Sequence, residues 1–175
     1  MTAIKHGRFV LLEKLLRWSI SPRVRARLLG VFGADIGANV RIYEVQLFNL
    51  KEGFQNLKVG DGAHIGVGCR LDLEGPLTIG KRSTLSPGVT VLTHQDPGSA
   101  HGSKLLSLYP PRVEATTIGD DCWLGTNVVV LAGVVIRNLV IVGAGSVVTN
   151  DLPDGVVSAG SPAVVKKILP TIGKI

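Results

Sequence analysis

Between Ile118 and Pro153 the chain repeats itself every six residues. Ile118, Leu124, Val130, Ile136, Val142 and Val148 form one aliphatic series, and four residues beyond each stand Cys122, Val128, Val134, Val140, Ser146 and Leu152. Gly119, Gly125 and Gly143 directly follow three of the aliphatic positions. A period of six fits neither the helical 3.6 nor long strand alternation, so a recurring backbone bend must produce it. Repeats of this length mark a parallel β-helix, whose short strands bury their inner faces only when successive coils stack. The same signal appears at Ile36-Gly37 and Ile42, blurs from Tyr43 to Lys58, and resumes at Val59-Gly60, Ile65-Gly66 and Leu71. Phe48 and Phe54 are too large for the inner slots, which predicts a bulged coil there. Glu74-Gly75-Pro76 inserts two residues before Ile79-Gly80, and the period returns at Leu85 and Val91. From Val91 to Ile118 is 27 residues. One coil side takes six of these, which leaves an excursion of about twenty residues, roughly 95–117; a structureless loop that long in a small domain is usually functional.

Composition narrows the classes that remain. With 175 residues the chain has room for one domain with a real core. Residues 1–30 carry seven basic side chains against Glu13, 7 − 1 = +6, and the other 145 are balanced at twelve against twelve. The net charge of +6 therefore sits at one end, and an extended nucleic-acid surface is not expected. No transmembrane run and no signal peptide is evident, so a cytoplasmic location is expected. Cys69 and Cys122 occupy the same small inward slot, which makes both packing residues rather than nucleophiles or disulfide partners. There is no phosphate loop of the GxxxxGK[ST] type and no CxxC pair. Apolar residues from Gly7 to Arg17 fall at helical spacings, and Ser21-Pro22 reads as a cap and first-turn proline opening a second helix to Leu29. These helices serve as a cap over the open end of the coil stack, or offer a basic amphipathic surface, residues 5–27, to the inner face of a membrane.

The units IGDDCW, LGTNVV and VGAGSV and the terminal AGSPAVVKKI resemble the hexapeptide-repeat acyltransferases, in particular the sugar and polysaccharide O-acetyltransferases. The resemblance covers about residues 31–170. It implies an all-β fold, a left-handed parallel β-helix of three flat sides with eighteen residues per coil, carrying an N-terminal helical cap and one long loop excursion. On that reading residues 1–30 are the helical segment, 31–170 the β-helix domain and 171–175 a C-terminal tail. Ile118 should then lie under Ile136, and Leu124 under Val142.

The family also implies chemistry. A catalytic histidine stands at the root of such a loop, and His94 matches it best, with His101 in reserve. A sugar hydroxyl is too weak an acid to attack a thioester at neutral pH, so a neutral imidazole must take its proton as the bond forms. Asp96, two residues on, is a candidate to orient the ring, or else a turn cap. The resemblance implies acetyl-CoA as co-substrate in a groove between subunits of a homotrimer. Trp123 matches the family's tryptophan beside the pantetheine arm. Thr126, Ala144 and Thr149 fall where small or hydroxyl residues hold that arm, and Lys166 and Lys167 where the nucleotide phosphates would be met, or form a plain solvated pair. The expected activity is acetyl transfer to a carbohydrate hydroxyl. Two alternatives stand beside it: a zinc enzyme like the γ-type carbonic anhydrases, which would need His64, His94 and His101, and a non-catalytic scaffold. No metal is expected on the first reading.

Overall fold

The computed structural model describes residues 2–18 and 21–170, with side chains from Gly7 onward; the expected tail, 171–175, lies outside the described residues. Two helices lead, α1 (Thr2–Arg17) and α2 (Pro22–Val31). The rest is a parallel β-helix of about six coils. Each coil lays one short strand in each of three sheets. The first sheet stacks Asp35–Ile36, Leu57–Val59, Leu77–Ile79, Thr116–Ile118 and Val135–Ile136; the second holds Trp123–Leu124 and the third Thr90–Val91. Ile118 pairs with Ile136, Leu124 with Val142 and Val130 with Val148, the eighteen-residue stacking that the family resemblance implies.

The bend behind that period is a left-handed residue at each corner. Asp121, Asn127, Gly133, Leu139 and Gly145 all have φ between 55° and 82°, six residues apart. Glycine and asparagine take this conformation easily, whereas Leu139 holds it at roughly 1–2 kcal/mol against its own Cβ. The side chains between bends fill the prism. Ile65, Leu85, Leu124 and Val130 are fully buried, and Cys69 and Cys122 fill inward slots beside them. Burial pushes the Cys69 thiol up to about 11 and raises that of Cys122 as well, so neither is a ready thiolate.

The corner between the first and second sheets is sealed by a ladder of side chains. Asp61 accepts from the Ala38 amide at 2.8 Å, Asp120 from Lys81 at 2.7 Å, Asn138 from Asp120 at 2.8 Å and Asp154 from Asn138 at 2.8 Å. Each coil thus satisfies backbone donors of the coil before it. The glycines there are required by contact: a Cβ on Gly80 would lie 2.3 Å from the carbonyl carbon of Gly119.

The helices close the first coil. Ser21 caps α2 by accepting from the Val24 amide at 3.5 Å. Buried Arg25 donates to the carbonyls of Leu16, Arg17 and Ile42, tying both helices to the first coil. Buried Glu13 accepts from Arg17 and from the Leu47 amide. Phe54 proves fully buried, in the widened stretch before Leu57 and edge-on to Phe9 of α1 rather than in a coil slot. At the far end Val156–Gly160 and Ala163–Ile168 form an antiparallel hairpin.

Candidate active site

The third corner, where the third sheet returns to the first, is built differently. After Thr90–Val91 the chain leaves the coil, pairs His94–Gln95 antiparallel with Arg112–Val113, and makes two short 3-10 turns, Ser99–His101 and Lys104–Ser107. The coil resumes at Thr116, a little before the expected end of the excursion. The neck is closed by the Glu114 amide on the Thr93 carbonyl at 2.8 Å and by the Thr116 hydroxyl on the Leu92 carbonyl at 2.7 Å.

His94 stands at this neck, and its Nδ1 lies 2.5 Å from Oδ2 of Asp72. Asp72 is completely buried at the end of Arg70–Asp72 in the coil below. Its Oδ2 also accepts the amides of Thr93 at 3.0 Å and His94 at 3.1 Å, and its Oδ1 accepts Asn49 Nδ2 at 2.8 Å and the Glu74 amide at 3.1 Å. Burial alone would push this carboxyl up, but the bonds from His94, Thr93, Asn49 and Glu74 together outweigh it and hold Asp72 below the usual carboxylate range. An ionised Asp72 can only accept. The network therefore assigns the ring proton to Nδ1 and leaves Nε2 of the partly exposed imidazole as the free acceptor.

Asp96 does something else. Its carboxylate takes the Gly98 amide at 2.8 Å, the Ser99 amide at 2.6 Å and the Ser99 hydroxyl, and these bonds, the hydroxyl first, depress its pKa. The carboxylate on the His94 ring is Asp72, so the orienting contact expected of Asp96 is corrected to Asp72. His101 is exposed in the first 3-10 turn. His64 lies in the second sheet against Tyr43, ring centroids 5.0 Å apart. The three histidines of the zinc alternative thus occupy three separate places, and among the described residues no group of three His, Cys, Asp or Glu side chains is disposed to hold a metal.

The residues expected to hold the thioester donor divide between places. Trp123 projects from the second sheet, 53% exposed, with its indole N–H on Ser86 Oγ at 3.0 Å. Thr126 and Ala144 are exposed on successive coils at the second corner, where a Cβ on Gly125 would meet the Ala144 amide nitrogen at 2.6 Å. Thr149 is exposed at the third corner, and Lys166 and Lys167 are exposed on the terminal hairpin. Asp72, Asn49 and Thr93 were not singled out by the sequence reading. The signal for Asp72 lay in the Glu74-Gly75-Pro76 insertion, which lengthens the stacking offset from eighteen to twenty and sets Leu71 against Val91, hence Asp72 against the start of the loop.

The stacked β-helix thus carries a buried carboxylate on a histidine at the root of its loop. The chain matches the family model described as bacterial transferase hexapeptide (six repeats) over residues 115–150. It is 34% identical to the galactoside O-acetyltransferase of Lactococcus lactis subsp. lactis, over 90% of this chain and 74% of that one. It is 37% identical to an Escherichia coli (strain K12) protein named for colanic acid biosynthesis acetyltransferase, over 86% of this chain and 79% of that one. Among solved structures it superposes on a galactoside acetyltransferase in complex with coenzyme A with TM-score 0.74 at 27% identity, covering 95% of this chain and 81% of that one. The chain belongs to the hexapeptide-repeat acetyltransferases. It is a CoA-dependent acetyltransferase, with acetyl-CoA as co-substrate.

Proposed function

We propose that this chain transfers the acetyl group of acetyl-CoA to a hydroxyl of a carbohydrate acceptor, with His94 as general base. The observation that carries the reading is the His94–Asp72 contact at 2.5 Å. Asp72 fixes the tautomer with Nε2 free. Nε2 takes the hydroxyl proton as the acceptor oxygen bonds to the thioester carbonyl carbon, and the imidazolium returns it to the departing sulfur. Asp72 stabilises the transient positive ring and never needs to be protonated itself. Relatives named for galactoside and colanic acid support a sugar acceptor. No described helix is long and apolar enough to cross a membrane, and we read the reaction as cytoplasmic.

The reading extends to a homotrimer that shares the donor groove between neighbouring copies. His94 and Thr149 belong to the third corner, Trp123, Thr126 and Ala144 to the second sheet and second corner. Two corners of one prism face different directions, so a shared groove needs the second corner of one copy against the third corner of another. Exposed Leu108, Tyr109 and Val113 on the loop give such a neighbour an apolar surface. Trp123→Ala should raise the KM for acetyl-CoA or break assembly, by about 2–4 kcal/mol for a large aromatic; an unchanged KM with an intact trimer in light scattering would remove Trp123 from the site. For the reaction as a whole, a panel of sugars and oligosaccharides is offered with acetyl-CoA while thiol release is followed. Sugar-dependent release is expected. Release with no acceptor in the panel would sink the reading.

A further inference from the structure

A groove of about 570 Å³ opens between α1, the end of α2 and residues 51–55. Its apolar lining is the partly buried pair Phe9 and Leu12 with exposed Leu11, Leu15 and Phe32. That is the size and character of a ligand site rather than a packing defect. Two observations say what it takes. First, Arg8 lines the groove together with Glu52 and Gln55, forms no ion pair with a carboxylate among the described residues, and belongs to the segment that carries all six of the chain's excess positive charges. Second, the groove adjoins the base. Lys51 lines it and is paired with Glu74, whose amide binds Asp72; Asn49, two residues before Lys51, bonds the same carboxylate at 2.8 Å and lies 3.5 Å from the His94 ring. Segment 49–51 thus joins the dyad, through Asn49, to the groove lining, through Lys51.

We infer that the groove holds the hydrocarbon tail of the acceptor, so that the hydroxyl offered to His94 belongs to a sugar carried on an anionic, phosphate-linked lipid. This rests on the acetyltransfer proposed above. An apolar trough with Arg8 at its lining, joined to the dyad through segment 49–51, suits a molecule ordered as hydrocarbon, phosphate, sugar. A free sugar would leave the trough unused.

The probes are decyl phosphate and a matched pair, decyl and methyl glycosides of a sugar that the enzyme acetylates, all below micelle concentration. Decyl phosphate should bind at least about tenfold more tightly than inorganic phosphate, since each buried methylene contributes. Arg8→Ala should erase most of the preference for decyl phosphate over the uncharged decyl glycoside. The decyl glycoside should show a KM about tenfold below its methyl partner at similar kcat, and Leu11→Glu, at an exposed position, should remove that difference while leaving the methyl glycoside unchanged. Equal KM values for the pair, or decyl phosphate binding indifferent to Leu11→Glu, overturn the inference. So does a Leu11→Glu chain that loses its oligomeric state, which would show a second copy lying in the groove, and so does binding to anionic vesicles with no gain for the single-chain probes. If no glycoside yields thiol release while decyl phosphate still binds, acetyltransfer is the reading that has failed, and the acceptor assignment falls with it.

Discussion

The first and third corners of the prism are made of the same six-residue step, yet one is closed and the other open. At the first corner Asp61, Asp120, Asn138 and Asp154 each spend a side-chain oxygen on a neighbouring coil's amide, and glycines let the backbones touch. At the third corner the chain departs for twenty residues, and the carboxylate left behind, Asp72, gathers two amides beside it and then a histidine ring. The device is the same, a carboxylate satisfying coil amides. What differs is that at the open corner the carboxylate is completely buried and meets an imidazole as well as coil amides. The first-corner side chains accept from the backbone alone, and Asp72 serves the backbone and a titratable ring together.

The largest test of that contrast is His94→Ala. Asp72 keeps its four other donors, so the thermal midpoint should hardly move while turnover falls by about 10²- to 10⁴-fold; full activity would place the base elsewhere, and His101→Ala is the control in the same loop. Next comes Asp72→Asn, which loses the tautomer lock and should lower turnover by about 10²-fold or more. It also has a pH signature. The folded pKa of Asp72 is depressed, so its contribution to stability is present above the unfolded value, about 3.9, and is lost as pH falls through the folded value. The variant should therefore lose less stability than the parent between pH 5 and pH 2, roughly the window of carboxylate linkage; identical acid limbs would mean that Asp72 is not the coupled group.

At the closed corner the effects should fall on stability alone. Gly80→Ala forces a Cβ onto the Gly119 backbone and should lower stability by about 1–3 kcal/mol, the usual range for overpacking, with kcat unchanged in the molecules that remain folded. Asp120→Ala should do less, about 0.5–1.5 kcal/mol, because water can reach the Lys81 amide in its place. A turnover defect in either variant, with the fold intact, would show that the two corners are not separable.

How much of this was legible in the chain depended on distance along it. The coil register was readable because the chain repeats every six residues and the family resemblance implies three sides to a coil, which stacks Ile118 on Ile136. His94 stood out because the family resemblance puts a histidine at the root of such an interruption, and its ring does lie on a buried carboxylate there. Asp72 was not, since it lies 22 residues before His94, and only the two-residue insertion at Glu74-Gly75-Pro76 brings their coils into line. Asp96 attracted the role by proximity, but an aspartate two residues before a glycine and three before a serine finds its own backbone first. Phe54 was recognised as unfit for an inner slot, while its actual partner, Phe9, lies in a helix whose docking no local spacing reveals.

The stacking of coils has a further consequence for how the molecule opens. Each coil touches little but its two neighbours, so unfolding is expected to peel inward from the ends, and amide exchange should grow slower coil by coil toward the middle. Asp72 and His94 flank the second and third of about six coils. From the amino end fraying must first release Arg25 from the Leu16, Arg17 and Ile42 carbonyls, and from the other end it must pass three coils before it arrives. The histidine and its carboxylate are thereby kept in register by the length of stack on either side, a form of rigidity that no single contact at the site supplies.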